Sequence, residues 1–308
     1  MRDIASRLED RRVLLTGGTG FIGRHLMQRL QAGGAEVHLT SRRPVDGPQD
    51  ACNLHFHRVD LADRESTLAL FDAIRPAVVF HLASRVAGSR ALDLVHPTLT
   101  DNLCSTVHLL EGAARHGCER FVQVGSLEEP AAGEAHAVPS SPYAAAKAAA
   151  SSYARMFHQL YDVPVVLARV FMVYGPGRQD ENKLVPYVIR SLQRGESPTF
   201  SSGTRPVDWV YVGDVVEGFL RLALTEGVAG ETVDLGTGEL HTVRQMVETL
   251  FDASGAPTAP TFGGLQDRAS EQIRRADVET TQRLLGWHPQ VDVGEGTRET
   301  VRWFADNP

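Results

Sequence analysis

Within the stretch SSPYAAAKAAASSYARMF, from Ser140 to Phe157, a tyrosine and a lysine stand four residues apart in a run rich in alanine. Alanine favours helix more than any other residue. Tyr143 and Lys147 therefore share one helix face, with Cβ atoms roughly 6 Å apart. A free tyrosine has a pKa near ~10 and is a poor acid or base at neutral pH. A neighbouring ammonium favours the phenolate, which lets the phenol exchange a proton with a reacting oxygen. Upstream, Ser126 ends the apolar run RFVQVGS, where its hydroxyl could hold a carbonyl or alcohol oxygen against that phenol. Glu128 follows two residues later, as an acid–base group or as an ordinary loop carboxylate. Taken alone, a helical Tyr/Lys pair is a common surface feature and a serine at a strand end is a common cap. A second feature near the N-terminus gives them their meaning.

That feature is LLTGGTGFIGRHL, which puts Gly17, Gly20 and Gly23 directly after an apolar run and at the head of a helical one. Glycine permits a tight turn and lets backbone N–H groups approach a diphosphate with no Cβ in the way. The helix N-terminus, with Phe21 and Ile22 in its first turn, adds partial positive charge facing that anion. Strand, glycine turn and helix in this order point to a dinucleotide, and the Tyr143/Lys147 pair then reads as catalytic. Lys147 would also bond the nicotinamide ribose. The end of the next apolar run reads VHLTSRRP. A site for NAD usually has an acidic residue there. Ser41, Arg42 and Arg43 stand there instead, and two guanidiniums suit a 2′-phosphate, so NADP(H) is favoured over NAD(H). Asp60 and Leu61 end a third run, where adenine would lie.

These groups need a scaffold, and the chain supplies one. Short apolar runs (RVLLTGG, AEVHLTS, FHRVD, AVVFHLAS, RFVQVGS, VPVVLARVFMVYG) alternate with helical patterns. Such alternation predicts a parallel sheet covered on both faces, wound in both directions as an α/β Rossmann fold. Residues 1–174 with about 208–238 are expected to form the NADP-binding domain, and 175–207 with 239–308 a smaller, interleaved α/β lobe for substrate.

Composition excludes other classes. The 308 residues are 42% hydrophobic, enough for a sizeable core. A net charge of −7 offers no basic field to nucleic acid. No apolar run approaches the ~18 residues of a membrane span, and MRDIASRLEDRR is too polar for a signal peptide. Cys52, Cys104 and Cys118 form no CxxC pair and read as reduced packing residues of a cytoplasmic protein; no residue is assigned to a metal.

The ordered motifs TGGTGFIG, VDLAD, HLAS, NLCSTVHLLEGA, PYAAAK, RVFMVYGPG, VDWVYVGDV and LGWHP resemble the extended short-chain dehydrogenase/reductases that act on nucleotide-diphosphate sugars. The resemblance covers nearly the whole chain. It implies Ser126, Tyr143 and Lys147 as the catalytic triad. It implies Leu82, Ala83, Ser84, Asn102 and Phe171 beside the cofactor, with Arg169 close by. Arg85, Met172, Lys183, Leu184, Arg205 and Arg268 would bind substrate, and a homodimer would form through two helices, one of them the alanine-rich helix. The chain departs from the family pattern at Met172, which replaces an asparagine, and at Val207, which replaces a diphosphate-binding arginine that Arg205 would supply instead. The family's VYG after the serine is absent.

Among the family's reactions, a 4,6-dehydratase usually has an acidic pair directly after its serine or threonine. Here Leu127 comes first and Glu128 second, although some dehydratases and decarboxylases keep only a glutamate at the latter position. A 4-epimerase recycles bound NAD, which the two arginines oppose. The favoured expectation is NADPH-dependent reduction of a nucleotide-diphosphate-4-keto-6-deoxysugar at C4. An epimerase, a dehydratase or decarboxylase using Glu128, and a non-catalytic NADP-sensing scaffold are the alternatives.

Overall fold

Five strands build the front of the computed structural model, which describes residues 3–44, 53–86, 88–130, 138–267 and 273–308. They are β1 (Arg12–Thr16), β2 (Glu36–Ser41), β3 (Leu54–Arg58), β4 (Val78–His81) and β5 (Arg120–Ser126). Helix α1 (Phe21–Ala32) follows β1 and α2 (Arg64–Ile74) follows β3. After β4 come a short α3 (Val95–Thr98), a π-helical segment (Leu99–Cys104) and α4 (Ser105–His116). The alanine-rich α5 (Pro142–Tyr161) follows β5. Next are β6 (Val165–Val170), β7 (Met172–Tyr174), α6 (Leu184–Gln193), β8 (Pro206–Tyr211), α7 (Val212–Leu224) and β9 (Thr232–Leu235). The chain ends with β10 (Leu240–Thr242), α8 (Val243–Ser254), α9 (Val278–Leu285) and α10 (Val293–Asp306).

Seven strands form the central parallel sheet in the order β3-β2-β1-β4-β5-β6-β9. Val13 of β1 lies opposite Val37 on one side and Val78 on the other. Val13, Leu14 and Leu15 are all fully buried, as residues of a strand covered on both faces must be. The order reverses between β1 and β4, and that switch point is where a doubly wound sheet opens its ligand crevice. The expected Rossmann architecture is what forms. The chain divides into two compact units, Met1–Arg169 with Val216–Val233, and Val170–Val215 with Asp234–Pro308.

The run VPVVLARVFMVYG, expected as one strand, is two. The Phe171 amide bonds to Leu235 O, and beyond it Met172–Tyr174 pairs in a different sheet, with Met172 opposite Trp209. That sheet has the order β10-β8-β7. An unbroken apolar run has no signal for a change of partner, so the sequence hides the break. The second unit gathers Tyr174, Val188, Trp209, Met246, Leu250 and Phe304 into its own core. Asp208 is buried there as an acceptor for the amides of Thr237, Gly238 and Ala276 and the Thr237 hydroxyl, at 2.7–3.0 Å. Asp214 accepts from the amides of Gln290 and Val291, and its carbonyl accepts from the Trp287 indole. The aspartates of VDWVYVGD and the tryptophan of LGWHP thus hold loops in place.

Candidate active site

Helix α5 starts at Ser141, whose hydroxyl accepts from the Ala144 amide at 3.1 Å, with Pro142 in the first turn where a missing N–H costs nothing. It ends at Asp162, which adopts a left-handed φ of 55°. Ala144, Ala146, Ala150 and Ala154 are buried along the same helix as Tyr143 and Lys147. These small side chains let α5 pack closely against α4 and the π-helical segment. The helix holds Tyr143 at 7% exposure and Lys147 at 4%.

The Tyr143 hydroxyl is hydrogen-bonded with the side chains of Ser126 and Ser84. Burial, reinforced by the charges of Glu128 and Glu129, pushes the phenol up to about 12 against the pull of those two bonds, so it is protonated at neutral pH. Lys147 Nζ donates to Val124 O at 2.8 Å. Burial pushes its ammonium down to about 8, and the Glu129 carboxylate works against that fall. Ser126 Oγ accepts from the Glu128 amide at 3.2 Å, which aims the hydroxyl from the end of β5.

Glu129, which the sequence reading passed over, is the hidden member of this group. It is only 7% exposed, and its Oε1 accepts from the Ser126 amide at 2.7 Å. Gly125 makes room for it, because a Cβ there would meet Glu129 Oε1 at 2.6 Å. The sequence SLEE gave no sign of which glutamate turns inward. Leu127 is buried and Glu128 half-buried.

The glycine turn is packed as a phosphate cradle requires. Gly17 has φ +70°, and a Cβ on it would meet Ala83 N at 2.6 Å. A Cβ on Gly23 would lie 2.1 Å from Gly17 O. Gly20 caps α1 without any side-chain hydrogen bond, which leaves the helix amides to an anion. Behind the turn runs a buried network also unseen in the sequence. The Ala83 amide donates to Thr16 Oγ1 at 3.1 Å, which lies 2.7 Å from His81 Nδ1. His81 Nε2 lies 3.0 Å from Thr106 Oγ1, which donates to Asn102 O. Only one proton order satisfies all four groups: Thr16 donates to His81, which donates to Thr106. Burial holds His81 neutral, down to about 3. The network ties the carboxyl ends of β1 and β4 to α4.

A family model described as "NAD dependent epimerase/dehydratase family" matches residues 13–236. This chain belongs to that family. It is 32% identical to a UDP-glucose 4-epimerase of Mycolicibacterium smegmatis, over 96% of this chain and 99% of the relative. It is 33% identical to a dTDP-glucose 4,6-dehydratase of Actinoplanes sp., over 96% and 98%. Among solved structures, an epimerase of Methanothermobacter thermautotrophicus superposes with a TM-score of 0.88 at 28% identity, covering 99% of this chain and 95% of that one. The Thermus thermophilus UDP-glucose 4-epimerase in complex with NAD gives 0.83 at 30% identity, covering 96% and 100%. The chain is therefore an enzyme of the extended short-chain dehydrogenase/reductase type with NAD(P)-dependent oxidoreductase chemistry.

In this epimerase/dehydratase family member the remaining predicted residues fall as follows. Asn102 sits in the π-helical segment, where its Oδ1 accepts from the Arg85 amide at 2.7 Å and from Ser84 Oγ at 3.2 Å. Through Ser84 it reaches Tyr143. Leu82 and Ala83 follow β4 beside Gly17. Ser41 ends β2, and its Oγ accepts from the Arg43 amide. Arg42 lies 3.1 Å from Asp101, a carboxylate that also takes the Arg85 guanidinium at 2.7 Å. Asp60 turns the chain after β3 by accepting from the Ala62 amide, and Leu61 is buried. Phe21 and Ile22 open α1, half-buried.

In the second unit Phe171 is buried, Met172 is half-buried on β7, and Lys183 and Leu184 stand at the head of α6. Arg205 directly precedes β8, and its carbonyl accepts from the Val243 amide. Val207 is buried in the apolar core of this unit. Arg268 and Cys52 lie outside the described residues, while Cys104 and Cys118 are free thiols. Among the described residues no helix is long and apolar enough to cross a membrane.

Proposed function

We propose that this chain reduces a nucleotide-diphosphate-4-keto-6-deoxysugar at C4 with NADPH. The supporting observation is the protonation chemistry around Ser126. Ketone reduction needs one proton donor, and the Tyr143 phenol, buried, protonated and bonded to Ser126, is one. Water loss needs an acid and a base. The usual acidic pair is broken here: Leu127 has no proton to give, Glu129 accepts from the Ser126 amide, and half-buried Glu128 is the member that remains.

The cradle of Gly17, Gly20 and Gly23 would hold the diphosphate, and Lys147 the nicotinamide ribose. The bound nicotinamide supplies the hydride. Ser126 donates a hydrogen bond to the C4 oxygen, and Tyr143 gives that oxygen its proton. The Lys147 ammonium favours the phenolate left behind. Glu128 would touch a sugar hydroxyl or help solvate the site. NADPH is the favoured form because Ser41 ends β2 and Arg42 and Arg43 follow it, where a site for NAD usually has an acidic residue.

Incubation with a nucleotide-diphosphate-4-keto-6-deoxyhexose and NADPH tests the reading. Loss of NADPH absorbance with formation of the C4 alcohol is the expected result. The epimerase relatives support a second reading. Appearance of C4 epimers from a saturated nucleotide sugar, with no net NADPH oxidation, would establish it instead. The expected homodimer would use α5, whose solvent face carries Tyr153, Leu160 and Tyr161, and light scattering on the eluted protein measures it.

A further inference from the structure

Four side chains that the chemistry above does not use meet on one face of the β2–β3 pair. Glu36 and His38 alternate along β2, and His55 and His57 alternate along β3. The parallel register sets His38 beside His55 and Thr40 beside His57. Alternate strand residues share a face, so the four point the same way. Glu36 Oε1 lies 3.3 Å from His38 Nε2 and 3.3 Å from His55 Nε2. All three donor atoms lie within 4.8 Å of one another. The His38 ring stacks on His55 at 4.7 Å and on His57 at 5.2 Å between centroids.

His38 Nε2 is buried without a well-formed hydrogen bond, with Glu36 Oε1 3.3 Å away. A buried polar atom left unmade costs about 1–3 kcal/mol. The other ring nitrogen, Nδ1, is 2.9 Å from His57 Nε2. If Nδ1–H donates to His57, the Nε2 lone pair of His38 faces Glu36 and His55. Metal-bound histidines are usually oriented by a bond of this kind from the far nitrogen. The two distances from Glu36 Oε1 also fit. A tetrahedral ion with bonds of about 2.0–2.1 Å separates its donor atoms by about 3.3–3.4 Å. Burial, with the neighbouring imidazoles, keeps His38 neutral, down to about 4.

We propose that Glu36, His38 and His55 bind a divalent zinc-class cation, with His57 fixing the His38 ring and the fourth position open to water. Two imidazoles and one carboxylate suit zinc, whereas calcium and magnesium call for oxygen donors. The His55 and Glu36 side chains are 44% and 39% exposed, so the ion enters from solvent. Such an ion would staple edge strand β3 to β2. Glu36 and Ser41 are opposite ends of β2, so the staple is separate from the cofactor edge and stands whatever the enzyme's substrate. The sequence alone assigns no metal ligand, because ExH and HxH come together only through the register of two strands.

The test uses the full chain without a histidine tag, stripped by chelator and titrated with zinc chloride in a calorimeter. One ion per chain is expected, with a rise in thermal midpoint. Glu36→Gln and His55→Ala, both at partly exposed positions, should each weaken binding about tenfold or more and remove that rise. Cobalt(II) should give the intense visible absorption of a tetrahedral site in the wild type and lose it in both variants. Zinc binding equal in wild type and variants, or a cobalt spectrum of octahedral type, would overturn the proposal.

Discussion

At the scale of single residues, the proposed reaction would divide the work between Tyr143, for the proton, and Lys147, for the charge. Tyr143→Phe keeps the ring that packs in α5 but removes the acid. Turnover should fall by about 10²–10⁴, with NADPH affinity within about threefold of wild type by fluorescence titration. A protein that only senses the cofactor would show no loss of function in this variant. Lys147 sets the pH behaviour. Its ammonium has been lowered from 10.5 to about 8, so the charge is present below about pH 8 and lost above it. The kcat/KM of reduction should be level below that point and decline above it. Glu129 opposes the lowering, so in Glu129→Gln the decline should begin at lower pH. The stability consequence has its own sign. Between about pH 8 and 10.5 the unfolded chain binds the proton that folded Lys147 has released. Folding stability therefore rises with pH through that window, and Lys147→Met should flatten the rise in denaturant titrations.

At the scale of elements, the glycine turn and its neighbours make a prediction of a different kind. Gly23→Ala puts a Cβ 2.1 Å from Gly17 O, so α1 must move away from the end of β1. The expected cost is about 1–3 kcal/mol in stability by denaturant titration, with cofactor affinity lowered as the helix amides shift. The elements themselves were largely legible. Apolar runs separated by helical patterns gave the Rossmann class and most of its strands, because a strand buried on both faces has no choice but to be apolar, whereas the strand order was not in the pattern. The Tyr143/Lys147 face was legible because four residues is a helical period. What stayed hidden depends on contacts distant in sequence. No local pattern says that β6 and β7 pair in different sheets, or that Thr16, His81 and Thr106 share protons across three elements. Nor does one say that Asp101 takes up Arg42 and Arg85, or that Asn102 sits in a π-helical segment rather than a plain helix.

At the scale of the whole molecule, cofactor preference becomes a property of unfolding. The glycine cradle, the Ser41–Arg43 segment and the catalytic groups all belong to the unit formed by Met1–Arg169 and Val216–Val233. A cofactor that binds only the folded form stabilises by about 2.7 kcal/mol at a hundredfold excess over its Kd. For a cooperative unit of this size that is about 5–10 °C in thermal midpoint. NADPH should therefore raise the transition that includes this unit by that amount, and NADH at the same concentration by clearly less. Arg42 currently shares Asp101 with Arg85, so its contribution to a 2′-phosphate is reduced by whatever separation from Asp101 requires. Arg42→Ala should bring the NADPH and NADH shifts together by lowering the first and sparing the second. Asp101→Asn should widen the gap, since it releases Arg42 without removing it. A larger shift with NADH than with NADPH in the wild type would instead point to NAD, and with it to the second reading, an epimerase.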